Sequence, residues 1–549
     1  MNLFYQFCCL FAVYYESAFY THAYLVTIPG ILEAILRKHT LSAILPALKN
    51  RVILYMSTAR KILSNTIYQI LGRAGVGLMS LVVIKIITSY LSVSKYGEYT
   101  NVYEFLALFA IIADFGLYTI AVREMSKNED DINLIQGNIM TIRLIVGFFV
   151  LAGVITAGFF IPSHIGTQIP WAIMVATTAS LIALINGTVT SVLQVKYKMQ
   201  YNAIAQILGK GVQLVYMLAV AYVLFNQDKV NGFYHLFWSG VIGNFAMLVY
   251  TYWAVRKYTK VWFRFDWPKI KYLLKQAAPY GLALFLSNIY FRADAILIFN
   301  LKGSTEAGLF GVAARLLEAL MILPLYFMNA VLPTLTKYIQ EKSQKYKEII
   351  QYTFDFQLLL SLPFLIGGFI VAAPLVHLIA TPDFVSRAAE GFIGSDIALQ
   401  ILLFAFVFVS INIIFNFTLI ALGKQAHLIW INGICALFNV VMNIIIIPIM
   451  GFRGAAITTV ACEALVFILV FITVKRHLPF KLKLMRPAKI LFSALLMGAA
   501  VFLLKDPTSP LLGTYNILLL IPIGALVYIL SLFGTKAVTK DLLKMVMQK

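Results

Sequence analysis

Long apolar runs separated by short polar segments are the dominant pattern of the chain. Most of the runs reach the roughly 20 residues that an α-helix needs to cross the hydrocarbon core of a bilayer. The pattern therefore predicts an all-α polytopic membrane protein with about 14 transmembrane helices. We place these spans at residues 62–91, 97–121, 134–160, 168–193, 202–225, 232–255, 273–299, 306–333, 350–379, 397–421, 427–448, 454–474, 488–504 and 514–533.

The charges of the connecting loops follow a second pattern. Loops rich in Lys and Arg alternate with loops that carry one basic residue or none. Basic residues are concentrated after the sixth, eighth and twelfth spans, for example Lys257, Lys342 and Lys481. Because short basic loops stay on the cytoplasmic side of a membrane, we expect both ends of the helical core to be cytoplasmic.

The composition agrees with this class and limits the chemistry. Of the 549 residues 61% are hydrophobic and 12% are charged, against roughly 45–50% and about 25% in soluble domains. The net charge of +21 comes mostly from helix ends and short loops, so we expect no nucleic-acid partner. The four Cys and seven His show no metal-binding spacing, and the chain has no Walker A or GxSxG motif. We therefore expect a transporter and not an enzyme, with no cofactor.

Residues 1–55 do not fit the pattern of spans. The first 36 residues contain no Lys or Arg, unlike the basic start of a signal peptide. They form either an extra apolar or re-entrant segment, or a stretch upstream of a true start at Met56. We favour the start at Met56.

A weak internal repeat divides the core. Residues 90–99 (Tyr-Leu-Ser-Val-Ser-Lys-Tyr-Gly-Glu-Tyr) and 301–310 (Leu-Lys-Gly-Ser-Thr-Glu-Ala-Gly-Leu-Phe) each connect two spans, and a shift of 211 residues aligns Gly97 with Gly308. Such repeats are typical of transporters with a site between two halves. They predict two pseudo-symmetric six-helix lobes and two C-terminal helices. The predicted units are an N-terminal extension 1–55, an N-lobe 56–256, a basic inter-lobe loop 257–272, a C-lobe 273–476, and spans 13 and 14 with a basic tail at 477–549.

Several short motifs in this frame resemble the Wzx-type polysaccharide-unit flippases. Residues 90–99 are similar to the first loop of that family, as are Asp114-Phe-Gly-Leu and Ala121-Val-Arg-Glu. Pro279-Tyr-Gly-Leu, Tyr290-Phe-Arg-Ala-Asp and Ala307-Gly-Leu-Phe match the start of its second half. The resemblance covers roughly residues 60–535. It rests on the order and spacing of these motifs.

The resemblance implies a MATE-like fold of two lobes and a function. The substrate would be an oligosaccharide on a polyprenyl diphosphate, moved from the inner to the outer leaflet of a bacterial or archaeal cytoplasmic membrane by alternating access. The expected partners are this lipid-linked oligosaccharide, membrane lipids, and a polysaccharide polymerase or glycosyltransferases. Transport would be coupled to Na⁺, H⁺ or the membrane potential.

Charged and amide residues inside the spans are the candidate functional groups, because a charge at the bilayer centre costs about 2.5 kcal/mol or more. A diphosphate suits Arg and Lys. The substrate-binding candidates are Asn65, Gln69, Arg73, Lys85, Asn288, Arg292 and Arg315. The gate or ion-coupling candidates are Glu104, Asp114, Asp294 and Glu318.

These candidates have plainer interpretations. The polar face of the first span can be a hydrogen-bonded seam between helices, and Arg315 with Glu318 can be a local salt bridge. Arg143 and Lys210 lie towards helix ends, where long side chains reach the headgroups.

The repeat also predicts pairs across the two lobes. The shift of 211 residues takes Glu104 onto Arg315, and it takes Lys85 to within two residues of Asp294. We therefore expect both pairs to close an outer gate. Arg292 and Asp294 are about 200° apart on a helix and cannot pair with each other. We expect Arg292 to face an anionic substrate and Asp294 to face a cation across the lobe interface.

Three other functions stay open. A lipid II flippase for peptidoglycan would also need a cationic cavity. A MATE-type ion-coupled drug exporter would share the fold but favour an acidic or apolar cavity. A membrane-bound polysaccharide polymerase or ligase would need a larger outer loop than residues 380–396 provide.

Overall fold

The computed structural model describes residues 68–538, apart from residues 70, 71, 74, 128 and 261. The N-terminal extension 1–55 and Asn65 lie outside the described residues. Within the described part of the chain the regular structure is helical, with one isolated β-bridge between Arg387 and Phe392. The α-helices are α1 Gly75–Tyr90, α2 Val93–Asp114, α3 Leu117–Lys127, α4 Ile132–Phe160, α5 Ile169–Val195, α6 Met199–Ala219, α7 Lys229–Val255, α8 Trp267–Lys302, α9 Ser304–Gln340, α10 Lys345–Ile370, α11 Ala372–Ile379, α12 Ser395–Ala421, α13 Ala426–Met450, α14 Phe452–His477, α15 Met485–Leu512 and α16 Ile517–Gly534.

The described residues contain 12 helices that are long and apolar enough to cross a membrane, so this is a multi-pass membrane protein. Helices α2 and α3 form one of these spans, interrupted where Phe115 and Gly116 have positive φ angles of 47° and 72°. The first and seventh predicted spans are not among the 12. The first is described only as the shorter apolar helix Gly75–Tyr90, and the seventh corresponds to the 36-residue helix α8. The count of about 14 spans therefore stays a prediction.

The helices pack into two bundles, which we call the first bundle (α1–α7) and the second bundle (α8–α14). In the first bundle α5 packs on α4 and α7, and in the second α12 packs on α9, α10 and α14. Helices α15 and α16 pack on each other, and α15 packs on α10. Contacts between the bundles are made by α2, α3 and α4 against α8, and by α2 against α9.

The apolar core is continuous at one end of the molecule and divided at the other. We call the end that carries the Lys- and Arg-rich loops the basic end. At the opposite end, side chains of both bundles belong to one buried cluster that includes Ile87, Phe237, Phe310 and Phe406. At the basic end the first bundle has its own core together with the start of α8, and the second bundle has a separate core. A further cluster lies between the second bundle and helices α15 and α16. Apart from the start of α8, the described residues thus join the two bundles by apolar packing at the opposite end.

Two glycines allow this close approach at the opposite end. Gly97 of α2 and Gly308 of α9 face each other, and Ser94 Oγ lies 2.7 Å from Ser304 Oγ beside them. A Cβ atom on Gly97 would collide with the carbonyl of Ser304, and one on Gly308 would collide with the carbonyl of Val93. The two glycines that the repeat aligns are therefore the point where the two helix backbones touch.

Candidate functional site

Four charged side chains form a closed ring between the bundles, one from α2, one from α8 and two from α9. We call this set the charge ring, and its members are Glu104, Arg292, Arg315 and Glu318. Arg292 Nη1 lies 2.7 Å from Glu104 and 2.9 Å from Glu318. Arg315 Nη1 lies 2.8 Å from Glu318, and its Nη2 contacts Glu104. Each glutamate therefore contacts both arginines, and the net charge of the ring is zero.

The ring is unevenly buried. The side chain of Glu104 is 7% exposed at the contact between the helices, whereas that of Glu318 is 42% exposed. Arg292 and Arg315 are intermediate. One side of the ring is thus packed between the bundles, and the other side is open to the space between them.

The ring confirms the predicted contact of Glu104 with Arg315 and the local pair of Arg315 with Glu318. It corrects the expectation of a cationic cavity at this point. Arg292 and Arg315 both have carboxylate partners, so in this conformation they offer no uncompensated charge to a diphosphate. The contacts of Arg292 with the two glutamates were not predicted from the sequence. The repeat matches one position with one other, so it cannot indicate a third member of the ring.

Lys85 makes a second connection between the bundles. Its Nζ donates to the carbonyl of His377 at 3.1 Å and to that of Ala380. Both carbonyls lie at the end of α11, where unpaired carbonyl groups carry a partial negative charge. The predicted pairing of Lys85 with Asp294 is wrong, since a helix end and not a carboxylate holds this ammonium group.

Asp294 faces its own bundle instead. Its buried carboxylate accepts hydrogen bonds from Asn439 (2.9 Å), Asn443 (2.6 Å) and Thr459 (2.5 Å) on α13 and α14. The expectation that Asp294 faces the lobe interface is wrong, because the opposite face of α8 is the one that contacts α2. Asn443 Oδ1 is buried without a hydrogen-bond partner beside this carboxylate. A carboxylate, two amides and a hydroxyl are oxygen ligands suited to a hard cation.

Two adjoining cavities of about 390 and 290 Å³ lie within the first bundle. Two of the substrate-binding candidates, Gln69 and Arg73, line the larger one. The other amide side chains of the two cavities are Asn186, Gln194, Asn202, Gln206, Gln213 and Asn244. Lys210 lines the smaller cavity and donates to Gln213 at 3.0 Å, so it does not extend to the headgroups as expected.

The sequence carried a signal for these amides that our reasoning did not use. Asn186, Thr190 and Gln194 are spaced by four residues on α5, and Asn202, Gln206 and Lys210 are spaced by four on α6. Residues four apart lie on one face of a helix. Polar residues at this spacing inside an apolar run therefore indicate a helix face that lines a water-filled cavity.

The family comparison decides the class of the protein. The model of the polysaccharide biosynthesis protein family matches residues 62–339, which is half of the chain and includes the whole first bundle, α8 and nearly all of α9. The chain belongs to the polysaccharide biosynthesis protein family. A second model, that of the MatE family, matches residues 279–445. The expected resemblance is confirmed by these two family models.

The relatives agree with this assignment. The lipid II flippase MurJ of Bacillus subtilis (strain 168) is 23% identical over 412 residues, covering 66% of this chain and 72% of that protein. A structure of the lipid II flippase MurJ in an inward closed conformation superposes with a TM-score of 0.66 at 14% identity, covering 85% of this chain and 97% of that one. An inward-facing MATE multidrug transporter gives a TM-score of 0.60 at 16% identity, with 74% and 94% covered. The MATE-like fold is confirmed.

The remaining predicted residues of this family member have structural partners. Asp114 pairs with Arg143, which is 1% exposed and also donates to Thr188 at 2.9 Å. Asp114 is therefore not a free ion-coupling acid, and Arg143 does not reach the headgroups. Asn288 donates to the carbonyl of Ala107 at 2.9 Å, which ties α8 to α2.

Proposed function

We propose that this member of the polysaccharide biosynthesis protein family flips a polyprenyl-diphosphate-linked oligosaccharide from the cytoplasmic to the outer leaflet by alternating access. The observation that carries the proposal is the amide-lined pair of cavities in the first bundle. Buried amides without partners are costly in an apolar setting, and Asn186 Oδ1 is one of them. Amide groups both donate and accept hydrogen bonds, which suits the hydroxyl groups of a sugar.

The positive groups beside these amides suit the diphosphate. Arg73 is exposed at the larger cavity and makes no ion pair with a described residue. Lys210 lies at the smaller cavity. An Arg and a Lys together balance about two negative charges, and the planar guanidinium can hold two phosphate oxygens at once. The lipid tail would remain in the bilayer.

The packing of the bundles supports the direction of access. The apolar core is shared at the opposite end and divided at the basic end. With the basic loops in the cytoplasm, this is a conformation closed to the outside. Rocking of the bundles would break the charge ring and the glycine contact, and would open the cavities outward.

Reconstitution in liposomes tests the substrate. The purified protein should move a fluorescent polyprenyl-diphosphate oligosaccharide between leaflets, measured as the fraction quenched by an external reductant. Arg73→Gln should lower the rate at least tenfold, and Asn186→Leu should lower it while leaving thermal stability unchanged. Gln227→Leu, at an exposed loop position, is the matched control.

The same assay separates the rival functions. Movement of lipid II but not of the lipid-linked oligosaccharide would replace our proposal with a peptidoglycan function. Efflux of cationic dyes without lipid movement would identify a drug exporter. A normal flipping rate in Arg73→Gln would remove Arg73 from the binding site.

We also propose that a monovalent cation, Na⁺ or H⁺, couples transport at Asp294. The support is a buried carboxylate held by two amides and a hydroxyl, with the unpartnered Asn443 Oδ1 next to it. Rotation of the Asn439 or Asn443 amide would turn an oxygen towards a bound Na⁺. A protonated Asp294 would instead donate to that oxygen.

Opposed gradients distinguish the two ions. Flipping in liposomes should accelerate with either an imposed Na⁺ gradient at constant pH or a pH gradient without Na⁺. Asp294→Asn should remove this acceleration, and Asp383→Asn, at an exposed position, should retain it. Equal acceleration in both variants would rule out Asp294 as the coupling group.

A further inference from the structure

A large basic groove lies at the basic end, away from both bundle cavities and the charge ring. It has a volume of about 1040 Å³ and is bounded by the start of α10, the end of α14, the loop 478–484, the start of α15 and the residues after α16. Among the described residues that line it, seven are Lys or Arg and two are acidic. We call this volume the basic groove.

The floor of the basic groove is a fixed structure. Gln351 donates from Nε2 to the carbonyl of Lys483 at 3.0 Å, and its Oε1 accepts from the Lys483 N–H at 2.7 Å. One amide side chain therefore fixes the position of the loop. Tyr346 donates to the carbonyl of Pro479 at 2.8 Å. The buried Phe480 stacks on Phe415. The loop is thus held in place before any ligand binds.

One of the two acidic residues is already occupied. Asp355 accepts from Arg486 at 3.1 Å and from Gln351 at 2.8 Å, and Arg486 lies over the Tyr352 ring. Six basic residues then remain against Glu348 as the single other carboxylate lining the described groove. Cytoplasmic loops are basic in most membrane proteins, but their charges are usually spread over a surface. Here basic residues from five segments of the chain surround one concave volume.

Lipid-facing surface adjoins the groove. Leu484 and Met485 at its rim are 65% and 74% exposed, and Phe492 on α15 and Phe533 on α16 continue the apolar strip along the helices. A ligand with phosphates in the groove would therefore have apolar chains beside it. Six positive charges exceed what one phosphate needs, and they match a headgroup with two or more phosphates.

We propose that the basic groove binds an anionic phospholipid whose headgroup carries at least two phosphates, from the leaflet at the basic end. Phosphate oxygens would contact the Lys ammonium groups, and the acyl chains would lie along α15 and α16. This site is separate from the proposed transport cavities, and the proposal does not depend on the transported substrate.

Native mass spectrometry of the full-length protein in detergent tests the proposal. The probes are tetraoleoyl cardiolipin with two phosphates, dioleoyl phosphatidylglycerol with one, and sodium tripolyphosphate as a free polyanion. Cardiolipin should bind at least tenfold more tightly than phosphatidylglycerol. The double variant Lys481→Gln, Lys489→Gln should lose that preference, because both side chains line the groove and neither pairs with a described acid.

The control keeps the same loss of charge at the same end. Lys260→Gln, Lys271→Gln removes two exposed lysines outside the groove and should change cardiolipin affinity less than twofold. Equal weakening in both double variants would mean diffuse attraction to basic loops and would overturn the proposal. Tripolyphosphate binding as tightly as cardiolipin would also overturn it, in favour of a soluble polyphosphate site. Unchanged melting temperatures in both variants exclude misfolding as the cause.

Discussion

The charge ring makes an unusual prediction about charge reversal. Each of its four members contacts two partners of opposite sign, so the ring has four attractive contacts. Exchanging the charges of Glu104 and Arg315 keeps their own attraction. It also places an arginine beside Arg292 and a glutamate beside Glu318. The double exchange should therefore fail to restore the closed contact between the two bundles at the opposite end, although Glu104 and Arg315 are in direct contact.

The free energy that each variant removes from the closed state follows from the number of ring contacts that it breaks. One contact contributes between about 1 kcal/mol, for an exposed pair, and about 4 kcal/mol, for unit charges 4 Å apart near a protein surface. We take roughly 2 kcal/mol for each contact. Glu104→Gln removes two contacts and therefore weakens the closed state by about 4 kcal/mol, which is within the range for breaking a buried pair. That corresponds to roughly a thousandfold shift towards opening. Glu104→Arg converts two attractions into repulsions, and the double exchange leaves the same balance of two attractions and two repulsions.

Distance measurements between spin labels can follow closure directly. Gln227→Cys and Ala389→Cys place labels on exposed loops of the two bundles at the opposite end, in a background without the four native cysteines. The unaltered ring should give one short distance. Glu104→Gln, Glu104→Arg and the double exchange with Arg315→Glu should each add a longer distance. Reversal of all four ring residues should restore the short one.

The decisive comparison is between the double exchange and the quadruple reversal. Full closure in the double exchange would show that Glu104 and Arg315 act as an isolated pair, and it would refute the ring. A quadruple reversal that stays open would show that shape and not charge pairing holds the bundles together. Flipping rates in liposomes should follow the label distances in either case.

Three further predictions follow from other contacts. Gly97→Ala should hold the opposite end open in the same label assay, because its Cβ meets the Ser304 carbonyl, whereas Gly153→Ala has free space and should close normally. Lys85→Met should weaken closure by about 1.5–3 kcal/mol, the range for a hydrogen bond to a charged group, and Lys85→Arg should retain most of it. Arg143→Met should lower stability by about 3–5 kcal/mol in thermal unfolding, and Asp114→Asn added to it should recover part of that loss.

The repeat in the sequence predicted more of the site than composition did. The alignment of Gly97 with Gly308 and of Glu104 with Arg315 identified two pairs of residues that meet across the bundles. This works because two similar units related by an axis bring equivalent positions together near that axis. Both pairs lie on α2 and α9, the helices that cross there.

The same reasoning failed for Lys85 and Asp294 because their helices do not cross at equivalent points. Lys85 is held by the end of α11. The apolar pattern of the sequence did not separate this short helix from the preceding span. The partners of Asp294 are two neutral amides on α13 and a hydroxyl on α14. A search restricted to opposite charges cannot find neutral partners, and sequence distance gave no reason to connect residues 145 positions apart.

Helix α8 carries Arg292 of the charge ring and the carboxylate of Asp294 on opposite faces of one turn. Arg292 and Asp294 are two residues apart, and a rigid helix cannot rotate one without moving the other. Any ligand that binds the pocket more tightly in one rotational position of α8 must bias the ring by the same free energy. By thermodynamic reciprocity the state of the ring then sets the affinity of the pocket. A single turn of helix can therefore connect cation occupancy to lobe closure with no chain of intermediate residues.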